Sequence, residues 1–314
     1  MACLVTGGTG LIGAHVVGRF LESGEKVVIY DVAPDIGRLE RTIGGDATKA
    51  VAVVQGDVLD LPHLIRTARQ HQVDRVVHLA YRLGIPTELN PSNATRLNIE
   101  GTNNVFEMAS IVGAPRVVWA SSISVFGPRS AGPDGVIAND APYHPLSIYG
   151  ACKVLNESVA FRYARSFGLE PVGLRFPVVY GPEVSRGWAA FVSNLIADLV
   201  RRHPTRAPRG DRPFNWIYVG DVAEAVFLAA HVPRPTTLAL TLSGETRTVS
   251  EVVEIVARRF PGVEIGIDRD YPDNRLMPYF DASPARQQLG WQARYSLEEG
   301  ISACIEYYRR LHAP

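Results

Sequence analysis

The 314-residue chain has no surplus of charge of either sign, because its 32 Lys and Arg residues match its 32 Asp and Glu residues. This balance argues against nucleic acid or an anionic membrane as a partner, since both select for an excess of basic residues. The chain also lacks an apolar run of the roughly 20 residues that cross a bilayer, and its first residues lead directly into a strand pattern without a charged leader. We therefore expect a cytoplasmic protein that acts on a small molecule, with no membrane and no nucleic-acid partner.

Cysteine is equally scarce. Cys3, Cys152 and Cys304 stand at no spacing that is typical of metal ligands, and an odd number of thiols cannot all pair. The simplest interpretation is three buried apolar residues in a reducing compartment. The sequence therefore predicts no metal site.

What the chain does contain is a regular alternation of apolar runs and amphipathic stretches, in a composition that is 46% hydrophobic. Buried strands are predicted at 2–5, 27–30, 51–54, 75–79, 116–120 and 171–174, and helices at 11–23, 60–71, 94–112 and 147–167. This alternation predicts an α/β fold, with parallel strands joined by right-handed crossovers into a doubly wound Rossmann-type sheet. After Arg175 the regularity breaks. We predict a nucleotide-binding domain over 1–175, a smaller α/β substrate lobe over 176–314, and a return of 221–243 to the main sheet.

The first strand and the first helix are joined by the sequence Thr-Gly-Gly-Thr-Gly-Leu-Ile-Gly at 6–13. In this context Gly8, Gly10 and Gly13 fit the dinucleotide-binding fingerprint, because glycine lets the backbone approach a pyrophosphate and lets the helix pack on the strand. The helix N-terminus adds free N–H groups and positive potential. A tight strand-to-helix turn without a ligand is the alternative interpretation.

Asp31 ends the second strand at about the twenty-residue offset that this fingerprint requires. A carboxylate at that position accepts hydrogen bonds from both ribose hydroxyls and repels a 2′-phosphate, which favours NAD over NADP. The nearest following arginine is Arg38, which reaches a phosphate only if the loop folds back. Without the glycines, Asp31 would be interpreted as a turn residue.

Two more strand ends should line the same crevice, because ligands of open parallel sheets bind at the carboxyl ends of the strands. Asp57 and Val58 follow the third strand, and Leu79 and Ala80 close the fourth. We expect Asp57 to accept from the adenine amino group, with Val58 and Leu79 as apolar walls. Asn98 lies inside a predicted helix, where asparagine is neutral to unfavourable, so it either bonds a neighbouring backbone or faces water. Taken singly, each residue also fits plain sheet architecture.

Hydroxyl groups and a tyrosine complete the crevice. The fifth strand ends in Ser121 and Ser122, where a hydroxyl can donate to a carbonyl oxygen that gains or loses charge. In the following helix Tyr149 and Lys153 are four residues apart and share a face. A phenol titrates at about 10, and a neighbouring ammonium favours the phenolate, which brings the group toward the range of a general acid or base. Serines at strand ends also form turns, and Tyr–Lys pairs one turn apart are common on helices.

The order of these motifs resembles that of the extended short-chain dehydrogenase/reductase superfamily, and of its NAD-dependent epimerase/dehydratase family in particular. The resemblance covers residues 1–182 and weakens beyond them. It implies an NAD-dependent enzyme that moves a hydride between C4 of the nicotinamide and a carbon bearing a hydroxyl or carbonyl group. The cofactor then carries the difficult step.

The resemblance also implies roles for individual residues. Tyr149 is then the general acid/base, while Lys153 holds the nicotinamide ribose and lowers the pKa of the phenol. Counted back from the following Val-Phe-Gly, the catalytic serine is Ser122 rather than Ser121 or Ser124. The predicted cofactor contacts are Gly7, Gly10, Leu11, Ile12, Gly13, Asp31, Asp57, Val58, Leu79, Ala80, Asn98, Tyr149, Lys153, Pro177 and Val179.

One strand departs from the family pattern in a way that concerns the substrate. Nucleotide-sugar members usually carry an arginine there that clamps the diphosphate, but this chain has Phe214, and a phenyl ring cannot bind phosphate bidentately. Arg209 and Arg212, in the preceding loop, either replace that arginine or form a solvated basic loop. Arg275 is either the second arginine that nucleotide-sugar members carry later in the chain or part of an ion pair at the surface. Loops that cover the reacting carbon commonly carry specificity. The candidate substrate contacts are Arg82, Ser124, Trp188 and Phe214.

Two enzyme functions stay open. The first is a dehydrogenase or reductase of a secondary alcohol or ketone in a small polyol, sugar or other hydroxy substrate, which the apolar Phe214, Trp216 and Ile217 favour. The second is a UDP-sugar 4-epimerase, in which the hydride returns to the opposite face of a transient ketone and NAD stays bound. A nucleotide-sensing protein without chemistry is disfavoured, because the Ser, Tyr and Lys set is intact.

The helices predicted at 94–112 and 147–167 carry apolar residues on more than one face. In this superfamily such helices pair across a two-fold axis, so the resemblance implies a homodimer. The chain's own sheet and lobe are the alternative cover for these faces.

Overall fold

Strands and helices alternate along the chain, as the sequence predicts. The computed structural model describes residues 1–83, 85–185, 187, 189–233, 239–270 and 279–312. Its strands are β1 (Ala2–Thr6), β2 (Val27–Asp31), β3 (Ala52–Gln55), β4 (Val73–His78), β5 (Arg116–Ser122), β6 (Glu170–Phe176), β7 (Val178–Tyr180), β8 (Thr205–Arg209), β9 (Pro213–Tyr218), β10 (Ala239–Thr241), β11 (Glu245–Thr248) and β12 (Ile265–Asp270). Its α-helices are α1 (Leu11–Glu22), α2 (Ile36–Ile43), α3 (Gly45–Lys49), α4 (Leu61–Gln70), α5 (Ile85–Leu89), α6 (Pro91–Thr95), α7 (Gly101–Val112), α8 (Ile148–Ser166), α9 (Ala190–Val200), α10 (Val219–His231), α11 (Val249–Arg258), α12 (Ser283–Leu289) and α13 (Leu297–Leu311).

Seven of these strands form one sheet in the order β10-β6-β5-β4-β1-β2-β3. Each neighbouring pair in it runs parallel, and parallel strands need crossover connections, here mostly helical. The chain builds outward from β1 to β3 on one side and from β4 to β6 on the other. The predicted doubly wound Rossmann-type sheet is confirmed. The carboxyl ends of β1 and β4 lie side by side at the reversal of strand order, where ligands of such sheets bind.

Two hydrophobic clusters cover the two faces of this sheet. Within β1, Cys3 and Val5 pack into the cluster that includes α1 and α10, while Leu4 packs into the cluster that includes α4 and α7. Successive side chains of a strand point to opposite faces. A strand covered on both faces is therefore apolar at every position, which explains the unbroken apolar runs in the sequence.

The later part of the chain forms smaller sheets with their own core. β11, β9 and β7 form a three-stranded sheet, and β12 pairs with β8. A third hydrophobic cluster packs α9, α11 and α13 against these strands. The segment 221–243 contains most of α10, which packs on α1, and β10, which forms the edge of the main sheet beside β6.

The helix predicted over 94–112 is not continuous. α6 ends at Thr95, a π-helical turn covers Arg96–Glu100, and α7 begins at Gly101. Within the turn, the main-chain carbonyl of Asn98 accepts hydrogen bonds from Thr102 Oγ1 at 2.7 Å and from Asn156 Nδ2 at 2.9 Å. Side chains distant in sequence thus take part in the backbone pattern here, and π-turns of this kind are frequent at functional sites.

Across the described ranges, no helix is long and apolar enough to cross a membrane. The same ranges contain no group of three or more His, Cys, Asp or Glu side chains placed to hold a metal ion. Cys3, Cys152 and Cys304 are all buried free thiols.

Candidate active site

The glycine loop between β1 and α1 lies directly against the end of β4. Gly7 has a φ of +69°, a left-handed conformation that favours glycine. A Cβ on Gly7 would lie 3.0 Å from the backbone nitrogen of Ala80, and a Cβ on Gly13 would collide with the carbonyl oxygen of Gly7. The loop is therefore bare backbone at the sheet edge, with Gly7, Leu79 and Ala80 together as predicted. This shape fits the close approach of a dinucleotide pyrophosphate.

The carboxylate of Asp31 faces this loop. Its Oδ2 accepts hydrogen bonds from the backbone N–H of Thr9 at 3.2 Å and from Thr9 Oγ1 at 2.6 Å, and its Oδ1 accepts from the N–H of Ala33 at 3.2 Å. The carboxylate is thus held at the end of β2 beside the glycines. Its position fits a ribose, as the spacing in the sequence predicts.

The guanidinium of Arg38 does not lie free beside that carboxylate. It donates to Glu183 Oε2 at 3.3 Å, and lies 3.8 Å from Asp35 Oδ2. The loop after β2 therefore folds back toward the glycine loop, which is the condition that the sequence analysis set for a phosphate contact. Arg38, however, is paired with carboxylates.

The remaining predicted cofactor contacts follow β1, β3 and β6 along the chain. Asp57 Oδ1 accepts from the N–H of Leu59 at 2.9 Å, and Val58 is buried against Gly101. Leu11 and Ile12 begin α1 and pack against the core of the C-terminal lobe, as does Val179. Pro177 is buried between β6 and β7.

Asn98 is fully buried and bonds a neighbouring backbone, which was one of the two alternatives left open. Its Nδ2 donates to the carbonyl oxygen of Arg82 at 2.8 Å, and its Oδ1 accepts from the N–H of Arg82 at 2.9 Å. The amide therefore fixes the backbone just beyond β4, where Arg82 leads into the next loop. Its role in this structure is to position that loop.

The start of α8 brings Tyr149 to the end of β5. Ser147 caps the helix by accepting from the N–H of Gly150 at 3.0 Å, and a Cβ on Gly150 would collide with the carbonyl oxygen of Ser124. This close approach places Tyr149 beside Ser122. Burial raises the pKa of Tyr149 to about 12, and a hydrogen bond with Ser122 lowers it in part.

Lys153 lies one turn further along α8 and is fully buried. Its Nζ donates to the carbonyl oxygen of Ala120 at 2.6 Å and lies 2.8 Å from the ring centroid of Tyr81 and 5.4 Å from that of Tyr149. Burial lowers the pKa of the ammonium well below its usual value, although Cys152 and Glu157 raise it in part. The two side chains share a face as predicted. The implied lowering of the phenol pKa is absent from this state, because burial dominates and the ammonium is bonded to Ala120.

The two serines at the end of β5 point in different directions. Ser122 Oγ donates to Ser124 Oγ at 3.1 Å and accepts from the N–H of Ser124 at 3.1 Å. Ser121 Oγ donates to Glu157 Oε1 at 2.6 Å, away from the phenol. The structure therefore groups Ser122, Ser124 and Tyr149, the arrangement that the choice of Ser122 anticipates.

Below this group lies a buried ion pair that the sequence analysis missed. Arg175 donates from Nε to Glu157 Oε1 at 2.9 Å and from Nη2 to Oε2 at 2.7 Å. Tyr143 donates to the same carboxylate, and Arg175 Nη1 donates to the carbonyl oxygen of Asn139 at 2.6 Å. The signal was present, because Glu157 follows Tyr149 and Lys153 at the next four-residue step of one helix face.

Tyr81 is a second residue to which the sequence analysis gave no role. Its ring lies under the ammonium of Lys153 and 4.6 Å from the ring of His78. His78 is fully buried and bonds Thr6 Oγ1 at 2.7 Å and Thr102 Oγ1 at 3.2 Å. Burial, with a smaller effect of Lys153, lowers the pKa of His78 to about 3, so the imidazole is neutral. The position of Tyr81 directly after Leu79 and Ala80 in the sequence was the available signal.

The candidate substrate contacts are less uniform. Arg82 is half-buried at the mouth of the crevice, and Ser124 lies beside Ser122. Phe214 is only 3% exposed and packs against Trp216 in the core of the C-terminal lobe, with ring centroids 5.9 Å apart. Its side chain therefore offers almost no surface to a ligand in this structure. Trp188 and Arg275 lie outside the described residues.

Comparison with known proteins agrees with this geometry. The model of the NAD dependent epimerase/dehydratase family matches residues 3–237. This chain belongs to the NAD-dependent epimerase/dehydratase family. The predicted membership, the enzyme class and the cofactor NAD are confirmed.

Individual relatives span nearly the whole chain. A putative UDP-glucose 4-epimerase of Methanocaldococcus jannaschii is 28% identical over 98% of both chains. UDP-glucuronic acid decarboxylase 6 of Arabidopsis thaliana is 29% identical over the full chain and 91% of its own length. Among solved structures, MoeE5 in complex with UDP-glucuronic acid and NAD is 31% identical with a TM-score of 0.83, covering 99% of this chain and 100% of its own. A GalE-like L-threonine dehydrogenase from Cupriavidus necator shares the fold at 23% identity, with a TM-score of 0.85 over 98% and 99% of the two chains.

Proposed function

We propose that this chain is an NAD-dependent enzyme that oxidises a secondary alcohol carbon of a UDP-sugar and returns the hydride to it, as a 4-epimerase does. The observation that carries the chemistry is the convergence of Ser122, Tyr149 and Lys153 at the carboxyl end of β5. The glycine loop and Asp31, which fit a dinucleotide, lie at the same carboxyl edge of this parallel sheet.

Each of the three side chains has a role that follows from its surroundings. When bound, NAD would supply the hydride acceptor and, in its oxidised form, positive charge. Tyr149 is protonated at neutral pH in this state, and is therefore ready to donate to a ketone oxygen. Taking a proton from an alcohol requires a lower pKa, which nearby positive charge produces. Ser122 can donate to the same oxygen and hold it in place.

The substrate class rests on the relatives. The curated relatives are named for UDP-glucose or UDP-glucuronic acid, and the MoeE5 structures contain UDP-glucose or UDP-glucuronic acid. These proteins match the chain over both its sheet and its C-terminal lobe. UDP-glucuronic acid and UDP-glucose are accordingly the first substrates to test.

One observation favours a second candidate, a dehydrogenase of a small alcohol. The β9 position at which nucleotide-sugar members usually carry an arginine is the buried Phe214. Phe214 itself offers a diphosphate no guanidinium, so such a group would have to come from another residue. The neighbouring Trp216 and Ile217 are also core residues, so they support the lobe and no longer argue for an apolar substrate.

The cofactor demands of the two functions are opposite, and this supplies the test. Purified protein is denatured and the released nucleotide is quantified, and a second sample is incubated with UDP-glucose or UDP-glucuronic acid and analysed by chromatography with mass detection. Retained NAD with an epimer of unchanged mass supports the proposal. Loss of CO₂ from UDP-glucuronic acid would place the chain with the decarboxylases instead. An exchangeable site, unchanged UDP-sugars and NADH formation with threonine or a polyol would support the dehydrogenase. Tyr149→Phe serves as the matched control in each assay.

The assembly is also a proposal. Phe161 and Leu155 on α8 and Ile111 on α7 are exposed apolar side chains, whereas Val105 and Met108 of α7 are covered by the chain's own core. We infer a homodimer through the outer faces of α7 and α8, testable by light scattering. The three buried free thiols fit the reducing conditions of the cytoplasm.

A further inference from the structure

Glu183 joins the C-terminal lobe to the cofactor side of the main sheet. It lies just after β7, and its side chain is 15% exposed. Its Oε1 accepts from Arg41 Nε and from Tyr307 Oη at 2.9 Å, and its Oε2 accepts from Arg41 Nη2 at 3.0 Å and Arg38 Nε at 3.3 Å. One carboxylate therefore holds both arginines of α2.

The backbone of Glu183 is held in place by the lobe. Its φ is +59°, a left-handed conformation that is uncommon for residues other than glycine. Its N–H donates to Tyr308 Oη at 2.7 Å, and that hydroxyl also bonds Ser193 Oγ at 2.6 Å. Such a conformation persists where the surroundings impose it. The carboxylate is thus a preformed acceptor for the two arginines.

The arginines adjoin the ribose side of the glycine loop. Arg38 Nη1 donates to the carbonyl oxygen of Thr9 at 3.5 Å, while the N–H and Oγ1 of Thr9 donate to Asp31. Arg38 and Asp31 therefore flank the same residue. Guanidinium groups are the side chains best suited to bind a phosphate bidentately, so this neighbourhood contains the parts of a 2′-phosphate site.

We propose that Glu183 is a cofactor-specificity residue, which holds Arg38 and Arg41 in ion pairs and so denies them to the 2′-phosphate of NADP. With Asp35 also beside Arg38, the cluster has two carboxylates for two guanidinium groups and no surplus of positive charge to attract a phosphate. Rejection of NADP then has two parts: repulsion by Asp31 and sequestration of the arginines by Glu183. The inference concerns nucleotide binding and does not depend on the sugar substrate.

The alternative is that Glu183 only ties α2 to α13. A tether would change stability, or the affinity for both nucleotides alike, whereas sequestration changes the affinity for NADP selectively. The two are separated by calorimetric titration of the nucleotide-stripped protein with NAD and with NADP, together with thermal melting. Neither measurement requires turnover.

The principal variant is Glu183→Gln, which keeps the shape of the side chain and removes its charge. We expect NADP to bind about tenfold more tightly, the effect typical of a charge-assisted hydrogen bond, with the affinity for NAD changed less than twofold. Tyr307→Phe is the matched control, because it removes a neutral hydrogen bond to the same carboxylate. It should lower the melting temperature and leave the NADP-to-NAD affinity ratio unchanged. Equal shifts for both nucleotides in Glu183→Gln, or none, would overturn the proposal.

A second pair of variants works even if Glu183→Gln fails to fold. In an Asp31→Asn background the repulsion is removed while Glu183 still holds the arginines, so adding Arg38→Gln should change the affinity for NADP less than twofold. If adding Arg38→Gln to Asp31→Asn clearly lowered the affinity for NADP, Arg38 would already bind the phosphate, and sequestration would be refuted. If the double variant Asp31→Asn/Glu183→Gln folds, it should bind NADP more tightly than Asp31→Asn alone. Adding Arg38→Gln to the double variant should abolish this increase in affinity.

Discussion

Glu157→Gln should destabilise this protein far more than the same substitution in an exposed ion pair. The side chains of Glu157 and Arg175 are only 4% and 5% exposed, and the guanidinium makes two hydrogen bonds to the carboxylate. A glutamine preserves the volume, but it leaves the charge of Arg175 buried without a counter-ion. The glutamine also places an amide N–H₂ group, which is a donor, where the native carboxylate oxygen accepts hydrogen bonds from other donors.

The magnitude follows from the burial. Removing one partner of a buried ion pair costs roughly 3–5 kcal/mol, and a large domain loses about 2 °C of melting temperature per kcal/mol, so we expect a fall of roughly 6–10 °C. The assay is thermal melting followed by circular dichroism at one pH, with urea unfolding as a second measure. Glu298→Gln is the matched control, because Glu298 pairs with Arg258 at 2.9 Å while both side chains are more than half exposed. Such a pair contributes about 0–1 kcal/mol.

A double variant tests the cause of the loss. Glu157→Leu combined with Arg175→Met removes both charges and should recover part of the stability, since apolar replacements of buried ion pairs are often neutral. Recovery will be incomplete, because Ser121, Tyr143 and the carbonyl oxygen of Asn139 lose their partners. The reasoning would be refuted if Glu157→Gln melted no lower than Glu298→Gln, or if the double variant were no more stable than the single ones.

Substitutions at three further positions address the proposed site. Tyr149→Phe removes the transferable proton and should reduce turnover by at least about 100-fold, with NAD affinity in calorimetric titration nearly unchanged; full turnover would disprove the role. Gly13→Ala places a methyl group against the carbonyl oxygen of Gly7 and should abolish NAD binding, so retained binding would show that the loop can yield. Asn98→Ala leaves the N–H and carbonyl oxygen of Arg82 unpaired and should cost roughly 1–3 kcal/mol in urea unfolding. Asn98→Asp keeps the acceptor for that N–H but buries an unpaired carboxylate against the carbonyl oxygen of Arg82, so it should lose at least as much, and a smaller loss would contradict the assignment.

Much of the fold was predictable from local pattern. The strands at 2–5, 27–30 and 116–120 agree with β1, β2 and β5 to within two residues, because strands buried on both faces must be apolar throughout. The glycines and Asp31 were equally readable, since a turn that approaches a ligand and a neighbouring backbone tolerates no side chain. The π-helical turn at Arg96–Glu100 was not predicted, and a hydrogen bond in it, from Asn156 to the carbonyl oxygen of Asn98, joins residues 58 positions apart.

By itself, the sequence determined the doubly wound sheet, the dinucleotide loop and the pairing of Tyr149 with Lys153 on one helix face, because each depends on short spacings along the chain. Only the tertiary structure decided which partners the side chains meet. In the folded chain Ser121 donates to Glu157, and Lys153 contacts Ala120 and Tyr81. Phe214 is buried in the core of the C-terminal lobe, and Glu183 forms ion pairs with the two arginines of α2. These contacts connect residues up to 145 positions apart. Composition and periodicity indicate whether a residue is buried and on which face of its helix or strand it lies. They do not indicate which residue from a distant part of the chain its side chain contacts.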